Sequence, residues 1–258
     1  MEKNDATALD RISEANRRQL RYLDLSDLDL EVLPDELVQL TALVHLNLNF
    51  NPFRRFPVQV CSLPALKILQ LVDCGLTELP ADIARLSSLE ELDLTANALQ
   101  QLPPEIGQLG QLRSLVLMSN QLNTLPEALG GLLNLRTLYL VNNELRALPD
   151  TIGALANLEL LELPNNQLTR LPASVGQLPK LRNLDLSSNH LEALPAEIGH
   201  LSTLQTLLLS FNRLKSLPVE MARLENLIYL KLQGNLFGVP DEVFDREPLE
   251  LIDFLLNR

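Results

Sequence analysis

Ten leucines, Leu20, Leu43, Leu66, Leu89, Leu112, Leu135, Leu158, Leu181, Leu204 and Leu227, follow one another at intervals of 23 residues. A chain that repeats its apolar pattern at such an interval is restricted to architectures made by stacking one supersecondary unit. The frame is readable in residues 89–111, LEELDLTANALQQLPPEIGQLGQ. Leu92 and Leu94 alternate with polar residues after Leu89, the period of a strand that buries one face. Asn97, Leu99 and Leu102 come next. Pro103 then opens a segment in which Ile106 and Leu109 lie three apart, the spacing of a helical turn. Proline suits the first position of a short helix, where its missing N–H would be unpaired anyway. Gly107 relieves crowding where the chain turns back. Each unit therefore predicts strand, loop and short helix.

One unit cannot bury its apolar stripe alone, whereas ten stacked units make a continuous core. The expected fold class is an α/β solenoid, a right-handed superhelix or horseshoe with a parallel β-sheet on its concave face and short helices or turns on its convex face. Asn51, Asn97, Asn120, Asn143, Asn166, Asn189, Asn212 and Asn235 fill one inward column. A buried carboxamide needs donors and acceptors, and the loop backbone of neighbouring coils can supply them. Leu28 and Cys74 interrupt that ladder. A proline column runs beside it at Pro34, Pro57, Pro80, Pro103, Pro126, Pro149, Pro172, Pro195 and Pro218, with Pro240 one residue early.

These residues resemble a leucine-rich repeat protein of the 23-residue type, over residues 20 to about 244. The repeats are similar to the cytosolic LPxxIGxLxxLxxLxLxxNxL kind found in Ras-suppressor-like, scribble-like and bacterial Roc-COR proteins. The resemblance implies a binding scaffold, with a role in signalling. Roc-COR proteins carry a GTPase after their repeats, but the resemblance covers the repeats alone, so it implies the scaffold and carries over no GTP chemistry. The end of the chain resembles the "GNPL…P" turn and capping helix of such proteins, with Leu236 where that pattern has proline.

The expected organisation is an N-terminal helical cap over 1–19, ten repeats over 20–244 and a C-terminal capping helix over 245–258. In the first cap Leu9, Ile12 and Leu20 form the expected apolar stripe of a helix starting near Asp5, with Arg11, Glu14, Arg17 and Arg18 towards water. In the second, Leu249, Ile252 and Leu256 recur at helical spacing, widened by Leu251, Phe254 and Leu255. A strand reading, in which Leu249, Ile252 and Phe254 continue the repeat and Asn257 completes a ladder, stays open.

The N-terminus lacks the apolar core of a signal peptide, and no apolar run approaches the length of a membrane span. Cys61 and Cys74 read as buried fillers, not a disulfide framework. A cytoplasmic location is the expectation. The formal net charge of −12 argues against nucleic-acid or anionic-membrane partners and favours basic ones.

Function is sought in the columns the fold does not dictate. Around the strand leucines these give an apolar cluster of Val116, Met118, Tyr139, Val141, Leu160 and Pro164 on repeats five to seven. A smaller group comprises Leu208, Phe211, Ile228 and Tyr229, and the acids Glu162 and Asp185 lie between the two. Contiguous apolar surface marks a contact site. The expected partner is a protein or peptide, and the expected state is a monomer. Arg113, Arg136, Glu159 and Arg182 share one frame position and predict a surface charge ladder.

No catalytic residue, metal site or cofactor is expected. His45, His190 and His200 fall on a strand, a loop and a convex turn, and no phosphate loop, nucleophile elbow or His-Glu-x-x-His helix occurs. The alternatives are a self-associating structural element and a bacterial effector or adaptor that uses the repeats for targeting.

Overall fold

A computed structural model describes residues 3–257, so the outer ends of the two expected caps, residues 1–2 and 258, lie outside it. Helix α1 (Lys3–Arg18) is followed by ten three-residue strands: β1 (Tyr22–Asp24), β2 (His45–Asn47), β3 (Ile68–Gln70), β4 (Glu91–Asp93), β5 (Ser114–Val116), β6 (Thr137–Tyr139), β7 (Leu160–Glu162), β8 (Asn183–Asp185), β9 (Thr206–Leu208) and β10 (Tyr229–Lys231). They pair in sequence order as one parallel sheet. The register offset equals the repeat, as in Leu92↔Leu115 and Leu115↔Leu138. Residues at the same frame position therefore form straight rows across the sheet.

The strands are shorter than the six-residue alternation over Leu89–Leu94 suggests, because only their centres pair along the sheet. On the convex side each coil makes a five-residue 3₁₀ turn, from Asp35–Gln39 to Asp241–Asp245. The three-residue spacing of Ile106 and Leu109 matches that tighter helix. Proline stands one place earlier than expected, at the extended N-cap instead of the first helical position. Pro103 has φ −69° and ψ 148°, and its carbonyl accepts the first bond, from Ile106 N at 3.0 Å. The ring holds φ while the carbonyl stays free to accept.

The leucine and isoleucine positions of the frame are buried, Leu89, Leu92, Leu94, Leu99, Leu102, Ile106 and Leu109 among them, with Leu20 of the first coil half-buried. The asparagine ladder joins successive coils. Asn143 Nδ2 donates to Leu117 O at 2.8 Å and to Leu140 O at 3.1 Å, and its Oδ1 accepts from Leu122 N at 3.0 Å. Cys74 stands in the same column with a weak thiol donor, 3.4 Å from Leu48 O. Lacking a carboxamide oxygen there, Phe53 N donates to Asn51 O instead, at 2.8 Å, and Arg54 takes a left-handed φ of 58°.

A glycine column sets the convex spacing. A Cβ on Gly107 would lie 2.0 Å from Ala128 O of the next turn, and one on Gly153 would lie 2.4 Å from Ser174 O. Where this position carries Val38 or Cys61, the turns lie further apart than where it carries glycine.

The two ends close differently. In α1 the buried residues are Ala8, Ile12 and Ala15, with Leu9 half-buried and Leu20 beyond the helix. The expected stripe of Leu9, Ile12 and Leu20 is thus displaced, since small alanines let the helix lie close against β1 and the first 3₁₀ turn. Arg11 Nη1 donates to Asp24 O of the edge strand at 2.9 Å. Residues 249–256 are helical, so the strand alternative does not hold: α2 (Pro248–Leu256) buries Leu251 and Ile252 on the side facing the turn Val219–Arg223, while Leu249 faces out.

Two stability outcomes follow. Gly153→Ala should cost about 1–3 kcal/mol, whereas Gly110→Ala, with nothing nearer than Gln108 O at 4.0 Å, should be near neutral; denaturant melts of both variants check the contrast. Asn143→Leu leaves Leu117 O, Leu140 O and Leu122 N without the carboxamide and should cost about 2–4 kcal/mol by the same measurement.

The concave face as candidate functional site

Inward leucines alternate with outward residues along each strand, so the concave face is built from three outward rows. The central row runs Val116, Tyr139, Glu162, Asp185, Leu208 and Lys231 on β5 to β10, each in register with the next. Beside it lie Met118, Val141 and Pro164, two residues further along each chain. Pro164 O accepts from Asn142 N at 3.0 Å, which ties these neighbouring loops.

Val116, Met118, Tyr139, Val141 and Pro164 therefore form one contiguous apolar surface. Leu160 stands in the other outward row, opposite Thr137, and is only a diagonal neighbour of Tyr139. All six are half-buried, so the patch is a shallow floor without protruding side chains. Its aromatic floor around Tyr139 lies directly against Glu162.

The second group is not gathered. Phe211, Ile228 and Tyr229 are well exposed, at 65%, 58% and 60%, while Leu208 is half-buried. Ile228 precedes its strand and Phe211 follows the neighbouring one, so they lie roughly six residues, or about 20 Å, apart along the strand direction. Leu208 belongs with the central row instead. The composition of the columns gives this group; the register divides it.

Phe211 also lies in a column of left-handed residues, at φ 58°, with Phe50 at φ 60° and Asn142 and Asn165 near it in angle. A bulky residue at positive φ is uncommon. Gly234 makes room for the Phe211 ring, since a Cβ there would stand 2.6 Å from ring atom Cδ1. No glycine marks the column at Phe50 or Phe211, so sequence reasoning missed it.

Acids in the central row differ in how they are satisfied. Asp24, Asp93 and Asp185 each accept a hydrogen bond from the N–H two residues on, at 2.9 Å. At Glu162 the residue two on is Pro164, which has no N–H. Partial burial pushes the Glu162 carboxyl up, and the neighbouring Asp185 charge pushes it further in the same direction. The charge ladder is present in part on the flank of the face, as Lys67–Glu90 at 2.6 Å, Arg113–Glu90 at 3.4 Å and Arg136–Glu159 at 3.9 Å.

Elsewhere, a cleft of about 650 Å³ opens between α1 and the first coil and is lined by Asp5, Asp29, Glu31 and Glu36 with Leu9, Val32, Leu33 and Pro34. Sequence reading did not identify it, because it depends on how α1 docks. Among the described residues no group of three or more His, Cys, Asp or Glu is placed to hold a metal, and no helix is long and apolar enough to cross a membrane. Cys61 and Cys74 are free, buried thiols, each pushed up to about 11 by burial.

Comparison with known proteins gives the following. A family model described as leucine-rich repeat region matches residues 58–130 and 175–253, and one described as leucine rich repeat matches 134–191. No match was found among curated proteins. Among solved structures, the chain is similar to a leucine-rich repeat protein of Leptospira interrogans, with 40% identity and a TM-score of 0.82 over 86% of this chain and 57% of that one. It is similar to the leucine-rich repeat domain of the type III effector XopL, with 28% identity and a TM-score of 0.77 over 90% and 84%. It is also similar to the ectodomain of the Arabidopsis thaliana membrane receptor kinase GASSHO1/SCHENGEN3, solved in complex with CASPARIAN STRIP INTEGRITY FACTOR 2. That likeness has 30% identity and a TM-score of 0.66 over 79% of this chain and 28% of that one. The chain thus spans just over half the length of the Leptospira protein and about a quarter of the receptor ectodomain.

The raised Glu162 carboxyl has a stability consequence. A carboxyl whose folded pKa is raised costs the fold stability above that pKa, and the cost vanishes once the pH falls below the unfolded value. Glu162→Gln should therefore raise the thermal midpoint at neutral pH, and the gain should fade as the pH is taken below the carboxylate range. A midpoint that drops at neutral pH would contradict the account of this carboxyl as destabilised by burial and by its like-charged neighbour.

Proposed function

Because this chain belongs to the leucine-rich repeat family, we propose that it is a non-catalytic interaction module that holds a protein or peptide on its concave face. The observation that carries this reading is the contiguous apolar floor of Val116, Met118, Tyr139, Val141 and Pro164, with Leu160 at its margin. The fold does not require apolar residues in these outward rows: the corresponding positions in earlier coils are Asn47, Asn49, Gln70, Asp93 and Thr95, with Val72 the one apolar residue among them. Members of the family are commonly protein-interaction modules, and the receptor ectodomain was solved bound to a factor. Tyrosine and methionine are enriched at such interfaces.

The same reading makes the chain a monomeric scaffold with a role in signalling, without cofactor, in the cytoplasm, where two unpaired buried thiols are at home. The −12 charge favours a basic partner over nucleic acid or an anionic membrane. A targeting role in a delivered effector is the second reading, and the likeness to the XopL repeat domain is what supports it.

Affinity capture comparing the wild type with Met118→Asp/Tyr139→Asp tests the assignment. Partners seated on the floor should be lost or weakened by about tenfold or more, roughly the effect of truncating a central interface residue. Equal recovery of every partner by a variant with an unchanged circular dichroism spectrum would remove the floor from the binding surface.

A further inference from the structure

The central row places Val116 and Tyr139 on one side and Leu208 on the other of the two acids Glu162 and Asp185, all at one register. Side by side on neighbouring strands, the two carboxylates repel. Asp185 is partly compensated by Ser187 N. Glu162 is not: Pro164 offers no N–H, and no hydrogen bond or ion pair to its side chain occurs among the described residues. Along the row the first cation is Lys231, beyond Leu208. A pair of half-buried anions with no cation paired to either among the described residues, bracketed by apolar side chains, is complementary to a cation carried between apolar groups.

The spacing narrows the ligand further. Neighbouring strands are about 4.8 Å apart, so the midpoint of the acid pair stands about 7 Å from Tyr139 on one side and from Leu208 on the other. An extended chain rises about 3.3 Å per residue and turns alternate side chains to the same side, so residues two apart are also about 7 Å apart. A divalent cation would require more oxygen ligands than these two carboxylates supply.

We propose that the concave face receives an extended peptide segment with Lys or Arg between Glu162 and Asp185 and an apolar residue two positions to either side, resting on Tyr139 and on Leu208. This rests on the concave-face reading above and specifies its ligand. The cation forms charge-assisted hydrogen bonds to both carboxylates. Pro164 keeps the Glu162 carboxylate free for it by withholding the N–H that occupies the equivalent acids.

Panning a displayed library of random peptides, about 12 residues long, on the whole chain tests this, followed by fluorescence anisotropy of labelled winners. The selected peptides should carry the apolar–x–Lys/Arg–x–apolar pattern and bind Glu162→Gln/Asp185→Asn about tenfold or more weakly. Glu162→Gln alone, expected to fold at least as stably as the wild type, should show part of that loss. Winners that are lost on Met118→Asp/Tyr139→Asp but lack a basic residue, or that bind the neutralised pair equally, overturn this inference and leave the concave-face reading standing. Winners indifferent to all three variants, or no winners at all, overturn both.

Discussion

The hydrogen bonds of the asparagine ladder are the constraint on which the other features depend. Each carboxamide reaches back to the carbonyl where the previous strand ends and receives an N–H from the loop that follows it. Burial of leucine is non-directional and would tolerate coils that slip past one another. The carboxamide has geometry, and so locks coil to coil at one offset. Straight rows across ten strands are the result. Any surface made from one residue per coil, including the floor around Tyr139 and the acids beside it, inherits its order from those buried amides.

Most of the fold was legible because each column answers to one physical demand that recurs ten times. Alternation announced the strands, the three-residue spacing announced the convex turns, and the polar column within an apolar frame announced the ladder. What escaped lies where an element meets a neighbour that does not repeat. The docking face of α1 sets Ile12 between alanines small enough for close approach and leaves Leu9 at its edge. The helix Pro248–Leu256 turns Leu249 outward because only one side of it has a coil to lie on.

The candidate site was legible as membership and less so as arrangement. Columns identified the apolar floor, and register kept it together. The group of Leu208, Phe211, Ile228 and Tyr229 looked like a second patch because column membership ignores distance along the strand. Leu208 gains meaning only from its place in line with Asp185, Glu162 and Tyr139. The solitary state of Glu162 was, by contrast, written in plain residues: aspartate followed two places on by serine or threonine satisfies itself, and glutamate followed by proline does not. The left-handed column through Phe50 and Phe211 had no such signal, since glycine marks it only at Gly234.

The glycine column on the convex side reaches further than local packing. Removing one methyl per coil lets the back of the array draw in while the front keeps its strand spacing, so the radius of the horseshoe is set coil by coil. The middle coils, with Gly107, Gly130, Gly153, Gly176 and Gly199, are drawn in most, and the first coils, with Val38 and Cys61, least. Closer packing at the back, against a fixed strand spacing in front, acts to flatten the array beneath the row from Val116 to Leu208 relative to its beginning. A straight guest along that stretch is asked to bend less, and shape discrimination on the front is governed by atoms missing from the back.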